Sequence, residues 1–276
     1  MVAQTSVTSM TDMIDYTLIT GASRGIGAAF ARRLAAVGNP LILTARDGEA
    51  LEALRQELMA RHPIPVRILP LDLTQPDAAR RLHAECGRRG WRVGMLINNA
   101  GFGRFGEFLR HSVDDYVSMI RLNGTVPVEL TRLFLPDMRA RGQGAIINVA
   151  SSAAFQPTPY LAVYGATKAF LLSFTEALAA ECAGTGIQVL ALCPGATRTE
   201  FFVNAGIADF EKTSPMPLQS AEAVVDEALR ALGQGRHRVI AGWRNRLMAL
   251  GTRLLPHGQT LKLSARVMRR WFGSDA

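Results

Sequence analysis

Cysteine is scarce: the 276-residue chain has three, Cys86, Cys182 and Cys193. They show no metal-ligand spacing, and an odd number closes no disulfide framework. They read as reduced thiols of a cytosol-like compartment. Cys193 ends the strand-like stretch Ile187–Cys193 and reads as a small core residue, not a nucleophile. No apolar run reaches the roughly 18 residues that a membrane-spanning helix needs. The first 15 residues lack a basic stretch followed by an apolar one, so no signal peptide is expected. No internal repeat or low-complexity segment is visible. Acid is missing from one region: residues 230–276 hold ten basic side chains and one acidic one, Asp275. The net charge of +8 therefore belongs to the C-terminal region, and the rest of the chain is close to neutral.

What is present is an alternation of strand-like and helix-like stretches, with 48% hydrophobic and 20% charged residues. That pattern implies an α/β domain around a mainly parallel sheet. Tyr16–Thr20 is a short apolar strand. Gly21, Ser23, Arg24, Gly25, Ile26 and Gly27 form a glycine loop, and Ala28–Val37 reads as the helix after it. Strand, glycine loop and helix together make a dinucleotide-binding turn. The glycines let the backbone approach a pyrophosphate, and the helix N-terminus offers free N–H groups to it.

The second strand, Leu41–Thr44, ends in Ala45 and Arg46. An NAD site usually carries an acid there for the ribose 2′-hydroxyl, whereas an arginine suits a 2′-phosphate. Arg46 with Arg24 therefore predicts NADP. The fourth strand, Trp91–Ile97, runs into Asn98, Asn99, Ala100 and Gly101, a polar turn where ligands of open α/β sheets bind. A long helix from Val113 to Arg139 is interrupted by Asn123–Gly124, which costs helix stability and so marks a kink or a task. Ser151 follows the fifth strand, Gly144–Val149. Tyr164 and Lys168 head an apolar helix, four residues apart and so on one face. A free phenol has a pKa of roughly 10, so ionising it at pH 7 costs about 4 kcal/mol. A neighbouring ammonium lowers that cost, which makes the pair a candidate general acid/base.

In this order the chain resembles the short-chain dehydrogenase/reductase family in its single-domain form. The resemblance rests on Thr20–Gly27, Asp72–Leu73, Asn98–Gly101, Asn123, Ser151, Tyr164 with Lys168, and Pro194–Gly195, and covers about residues 16–232. It implies a doubly wound, Rossmann-type sheet of about seven strands with helices on both faces. It implies NADP(H)-dependent hydride transfer to or from a carbonyl or alcohol, with no metal. Tyr164 would be the acid/base, Lys168 would lower its pKa and hold the nicotinamide ribose, Ser151 would bind the substrate oxygen, and Asn123 would hold a relay water. Asp72 and Asn99 would lie beside the adenosine, Thr197 and Thr199 near the nicotinamide carboxamide and the phosphates, and Leu73, Ala100, Gly101, Pro194 and Gly195 would also bind the cofactor. A cofactor sensor or scaffold without turnover is the alternative; such proteins usually lose the Tyr or Lys kept here.

Three expectations concern the surroundings of this site. Residues 200–218 read as an apolar lid, and Phe155, Tyr160, Phe201 and Phe202 as parts of a hydrophobic pocket. The apolar Tyr164 helix (Phe170, Leu171, Leu172, Phe174, Leu178) predicts a homodimer or homotetramer, because a helix apolar nearly all round needs cover on several sides. Residues 1–15 read as a frayed terminus and 233–276 as a basic helical extension. Two apolar stripes lie there: Trp243, Leu247, Leu250 and Leu254, then Leu261, Ala265, Met268 and Phe272. They are expected to be buried on the enzyme or on a second subunit. The alternative is peripheral membrane contact by a cytoplasmic protein. Nucleic acid is not an expected partner.

Overall fold

A computed structural model describes residues 15–207 and 217–272. Its centre is a seven-stranded parallel sheet in the order β3-β2-β1-β4-β5-β6-β7. The strands are β1 (Asp15–Thr20), β2 (Leu41–Ala45), β3 (Val66–Pro70), β4 (Arg92–Asn98), β5 (Gly144–Val149), β6 (Ile187–Cys193) and β7 (Arg238–Ile240). The central strands are near-continuous Ile, Leu and Val because both faces of the sheet are covered. On one face Phe30, Leu34, Leu51, Leu54, Val224 and Val225 pack on Ile19, Leu43 and Ile147. On the other, Leu82, Leu130, Phe134, Met138 and Leu178 pack on Leu18, Ile42, Leu96 and Ile146. The order reverses between β1 and β4, and the site opens there, beyond the strands' carboxyl ends.

The helices are α1 (Gly25–Ala36), α2 (Gly48–Arg61), α3 (Ala78–Arg88), α4 (Val113–Ile120), α5 (Val126–Arg141), α6 (Ala162–Glu181), α7 (Phe201–Asn204), α8 (Ala221–Gly233), α9 (Trp243–Leu254) and α10 (His257–Phe272). Helix α1 starts three residues earlier than the sequence suggests, so the second half of the glycine loop is already helical. Helix α3 starts later than Thr74. The Asp72 carboxylate takes the Thr74 N–H at 2.9 Å and its hydroxyl at 2.7 Å, a local turn that competes with helix. The interruption at Asn123–Gly124 is a π-type turn, Arg121–Thr125, between α4 and α5. Such bulges interrupt helices mostly at functional sites.

Strand β7 lies past residue 232, inside the stretch read as an extension. Its three residues pair with Ala191–Cys193 and are too short to show a period in sequence. The lid expected over 200–218 is described only in part, as the short α7 and the residues to 207. Phe210 and Met216 lie outside the described residues, as do residues 1–14. All three cysteines are buried free thiols, and burial pushes the Cys193 thiol up to about 12. Cys193 is thus a core residue and no nucleophile, as expected.

Candidate active site

The first wall of the site is the glycine loop. Gly21 and Gly25 adopt φ of +62° and +52°, the left-handed region that glycine enters without strain. A Cβ on Gly27 would stand 2.2 Å from the Gly21 carbonyl oxygen, so only glycine lets α1 start this close to β1. Helix α1 has no side-chain cap and no acid in its first turn. Its first N–H groups and positive dipole end therefore face an open cradle, which fits a pyrophosphate. The Asn99 amide ties the cradle down, donating to the Thr20 and Gly21 carbonyls at 2.9 and 3.1 Å. The Thr20 hydroxyl in turn accepts the N–H groups of Asn99 and Ala100, both at 2.9 Å.

The ribose end is less simple than the sequence suggests. Arg46 is exposed at the end of β2. Arg24 is already engaged, at 2.8 Å from Asp47 and 2.6 Å from Glu200. Asp47, one residue after Arg46, is therefore spent twice: it caps α2 through the Ala50 N–H and anchors Arg24. Asp72 stands within the field of Arg46. Burial raises its carboxyl, but the Thr74 hydrogen bonds and Arg46 together hold it below the ordinary range. Leu73 is 3% exposed and belongs to the core, so its side chain is not part of the site.

The catalytic end gathers the carboxyl ends of β4, β5 and β6 with the first turns of α6. Lys168 is buried and donates to the Val149 carbonyl at 2.8 Å, with its ammonium 5.8 Å from the Tyr164 ring centre. Burial lowers the Lys168 pKa to about 8. The Tyr164 side chain is half-buried; the enclosure of its phenol pushes it up to about 12, and the Ser151 hydroxyl beside it pulls only part of the way back. This reverses the expected direction. The expected lowering by Lys168 does not prevail in this structure, and the phenol is held as a neutral proton donor.

Asn123 is fully buried. It accepts the Phe102 N–H at 3.1 Å, and donates to the Phe102 carbonyl at 2.9 Å and the Thr167 hydroxyl at 3.2 Å. It therefore clamps the turn after β4 to α6, beside Lys168. A Cβ on Gly101 would meet both the Asn123 oxygen and the Lys168 ammonium.

One cavity of about 1140 Å³ joins these parts. Its wall includes Gly21, Arg24, Gly25, Ile26, Asn99, Ala100 and Gly101 at the loop end, and Ser151, Tyr164, Lys168, Pro194, Gly195, Thr197 and Thr199 at the catalytic end. Ser23, Gly27, Arg46, Asp72, Leu73 and Asn123 stand behind or beside that wall. Phe201 and Phe202 line it as expected, with Phe201 5.3 Å from Tyr164. Phe155 and Tyr160 do not. Phe155 packs behind the wall with Leu172 and Cys193, and Tyr160, at φ +64°, packs with Phe105 and Leu161.

The sequence reading missed the far wall. Asn245, Met248, Thr252, Thr260, Ser264 and Met268, all from α9 and α10, face the cavity. Asn245 presses on Gly195, where a Cβ would sit 2.2 Å from its amide nitrogen. Ser264 donates to the Pro157 carbonyl at 2.6 Å and so fastens α10 to the loop before α6. Gln156 also lines the cavity, and its buried Oε1 has no hydrogen-bond partner. A lone polar position in a Pro-rich loop gives no periodic signal, so Gln156 was not recoverable from pattern alone. The space exceeds the usual range of about 300–1,000 Å³ for one ligand pocket. It suits a dinucleotide and a sizeable second molecule together.

The family model for short chain dehydrogenases matches residues 15–209. Sulfoacetaldehyde reductase of Chromohalobacter salexigens is 41% identical over 191 residues, or 68% of this chain and 75% of that protein. The 7beta-hydroxysteroid dehydrogenase of Collinsella aerofaciens is 32% identical over 84% of this chain and 88% of its own. A solved short-chain dehydrogenase from Sphingobium yanoikuyae in complex with NADPH shares 37% identity at a TM-score of 0.79, over 87% of this chain and 93% of that one. With an uncapped glycine cradle in one cavity with Tyr164 and the buried Lys168, these matches establish that the chain belongs to the short-chain dehydrogenase/reductase family and is an NAD(P)-dependent oxidoreductase of the carbonyl–alcohol pair.

Proposed function

We propose that the chain is an NADP(H)-dependent reductase of neutral, mostly apolar and bulky carbonyl compounds, with Tyr164 as the proton donor. The observation that carries this is the grouping of Tyr164, Ser151 and Lys168 on the wall of one large cavity that also holds the glycine cradle. A nicotinamide dinucleotide held by the glycine cradle and Lys168 would supply the hydride for the carbonyl carbon. Ser151 holds the carbonyl oxygen by its hydroxyl, and the Tyr164 proton passes to that oxygen as its negative charge develops. Lys168, charged below its depressed pKa, stabilises the phenolate left behind and reaches the ribose. Asn123 holds the turn after β4 against α6 and sits where a relay water would meet Lys168.

Arg46, exposed at the end of β2 with no acid before it, supports NADP over NAD. Arg24 joins it at a 2′-phosphate by exchanging its Asp47 contact. The charged side chains on the described wall are Arg24, Glu200 and Lys168, all at the cofactor end or the catalytic centre. That favours a neutral substrate over a sulfonate such as the one named for the Chromohalobacter enzyme, because a buried anion needs a paired cation.

The exposed Val113, Val117 and Ile120 of α4, beside the exposed Phe170 of α6, support a homo-oligomer paired through these helices. The reading includes a cytoplasmic enzyme whose basic extension touches a membrane peripherally. A panel of ketones, aldehydes and 3-oxoacyl compounds, followed by NADPH absorbance, tests the activity. Consumption of NADPH by neutral bulky ketones is the expected result, and no consumption with any carbonyl would refute the proposal.

A further inference from the structure

Helix α9 is turned inside out for a surface helix. Its cavity-facing side carries Asn245, Met248 and Thr252, with Ala249 3% exposed beside them. Its solvent side carries Trp243, Leu247, Leu250 and Leu254, which are 53–75% exposed. These four fall at i, i+4, i+7 and i+11 and form one continuous stripe. The expectation that this stripe is covered by the enzyme's own body therefore fails. In α10 the inward side is Thr260, Ser264 and Met268, while Leu261, expected to share the face of Met268, is 42% exposed. The Phe272 side chain lies outside the described residues.

The charges match the apolar stripe. From Trp243 to Phe272 there is no acidic residue, against seven Lys or Arg. Arg244 and Arg246 flank the α9 stripe, Arg244 stacked 5.3 Å over Trp243 and Arg246 held by Glu227 of α8. Lys262, Arg266 and Arg269 are exposed on α10. An apolar stripe bordered by cations is the surface that an anionic bilayer binds. An isologous contact with a second copy would instead set two predominantly cationic faces against each other. No helix among the described residues is long and apolar enough to cross a membrane, so the contact is one of lying on the surface.

The hairpin also carries the mouth of the cavity. Leu255, Leu263 and Val267 line the cavity and yet are 40%, 51% and 39% exposed. Leu255 follows Leu254, the last residue of the outer stripe. The apolar rim of the mouth and the apolar outer stripe thus meet at neighbouring residues, Leu254 and Leu255. We propose that the outer face of the α9–α10 hairpin lies on an anionic lipid bilayer, and that the cavity takes its carbonyl substrate directly from that bilayer through the Leu255–Val267 mouth. The entry route rests on the carbonyl reductase reading; the docking does not.

The test uses the full-length protein and phosphatidylcholine vesicles with or without phosphatidylglycerol. Leu247→Glu with Leu250→Glu is the variant, since neither residue lines the cavity. The wild type should sediment with anionic vesicles at low salt, and binding should fall about tenfold or more at high salt, without phosphatidylglycerol, or in the variant. Both proteins should reduce a water-soluble ketone at rates within about twofold, while a long-chain ketone dissolved in the vesicles should be reduced about tenfold faster by the wild type. Absence of vesicle binding by the wild type, or binding indifferent to both salt and lipid charge, would overturn the docking. So would a smaller oligomer for the variant in light scattering, which would make the stripe a subunit contact. Equal rates on the vesicle-borne ketone would overturn the entry route. Should no carbonyl consume NADPH, the enzyme reading and the entry route fall together, while sedimentation still decides the docking.

Discussion

The two walls of the cavity differ in kind. The wall built by the glycine loop and the ends of β4, β5 and β6 is made of backbone, small residues and a few buried polar side chains held by short hydrogen bonds. The wall built by α9 and α10 is made of side chains on two helices whose other face is exposed. The first lies within the stretch matched by the family model, which stops at residue 209, and the second lies beyond it. The matched stretch holds the cradle and the candidate proton donor, and the helices beyond it close the cavity from the other side.

Changes to the first wall should have the largest effects. Tyr164→Phe removes the proton and little else, so kcat should fall about 100-fold or more with NADPH affinity nearly unchanged; turnover and cofactor titration read the two separately. Lys168→Met should lower both turnover and NADPH affinity by about tenfold or more, since a charged hydrogen bond is worth roughly 1.5–3 kcal/mol. Unchanged cofactor affinity in that variant would remove Lys168 from the ribose.

The same lysine sets a pH signature. Its pKa is about 8 in the folded protein against 10.5 as the ordinary value. Between those values the unfolded chain binds the extra proton, so stability rises with pH. Denaturant midpoints of the wild type should therefore rise relative to Lys168→Met from pH 8 towards 10.5. Tyr164, raised from 10 to about 12, acts with the opposite sign above pH 10 and limits the gain there.

The ribose end should show an intermediate effect. Ala45→Asp with Arg46→Leu places an acid where a 2′-phosphate is expected, and the NADPH/NADH preference should move by about tenfold or more towards NADH. An unchanged ratio would mean that neither Arg46 nor the end of β2 meets the ribose. The smallest effect belongs to Gln156, where a buried amide oxygen lacks a partner. Gln156→Leu should leave stability unchanged or raise it by about 1 kcal/mol, while raising KM severalfold for ketones that carry a second hydrogen-bonding group. A clear loss of stability would show that the amide serves the fold and not a ligand.

How much of this was legible in sequence follows the same division. The glycine loop, Asn99, Ser151, Tyr164 and Lys168 each answer a backbone or chemical need that only one or two residue types meet, so their identity announces them. Asn123 announced itself as a break in a helix, and the π-type turn there bears that reading out. What the sequence could not show is where an amphipathic helix points. The α9 stripe looks like a core-facing stripe, because periodicity gives a face and not a direction. Its outward turn goes with the opposite face packing inward: Asn245 presses on Gly195, and Ala249 is 3% exposed. The direction of the Tyr164 shift was likewise not legible, because spacing reveals a neighbouring lysine but not the enclosure of the phenol.

The most direct measurement is NADPH consumption by the purified full-length chain, run side by side with Tyr164→Phe on neutral ketones of increasing bulk and on sulfoacetaldehyde. Wild-type turnover should rise with apolar bulk and be little or none with the sulfonate, and the variant should lose about 100-fold or more. Equal rates in the two proteins, or a clear preference for the anionic aldehyde, would contradict this expectation.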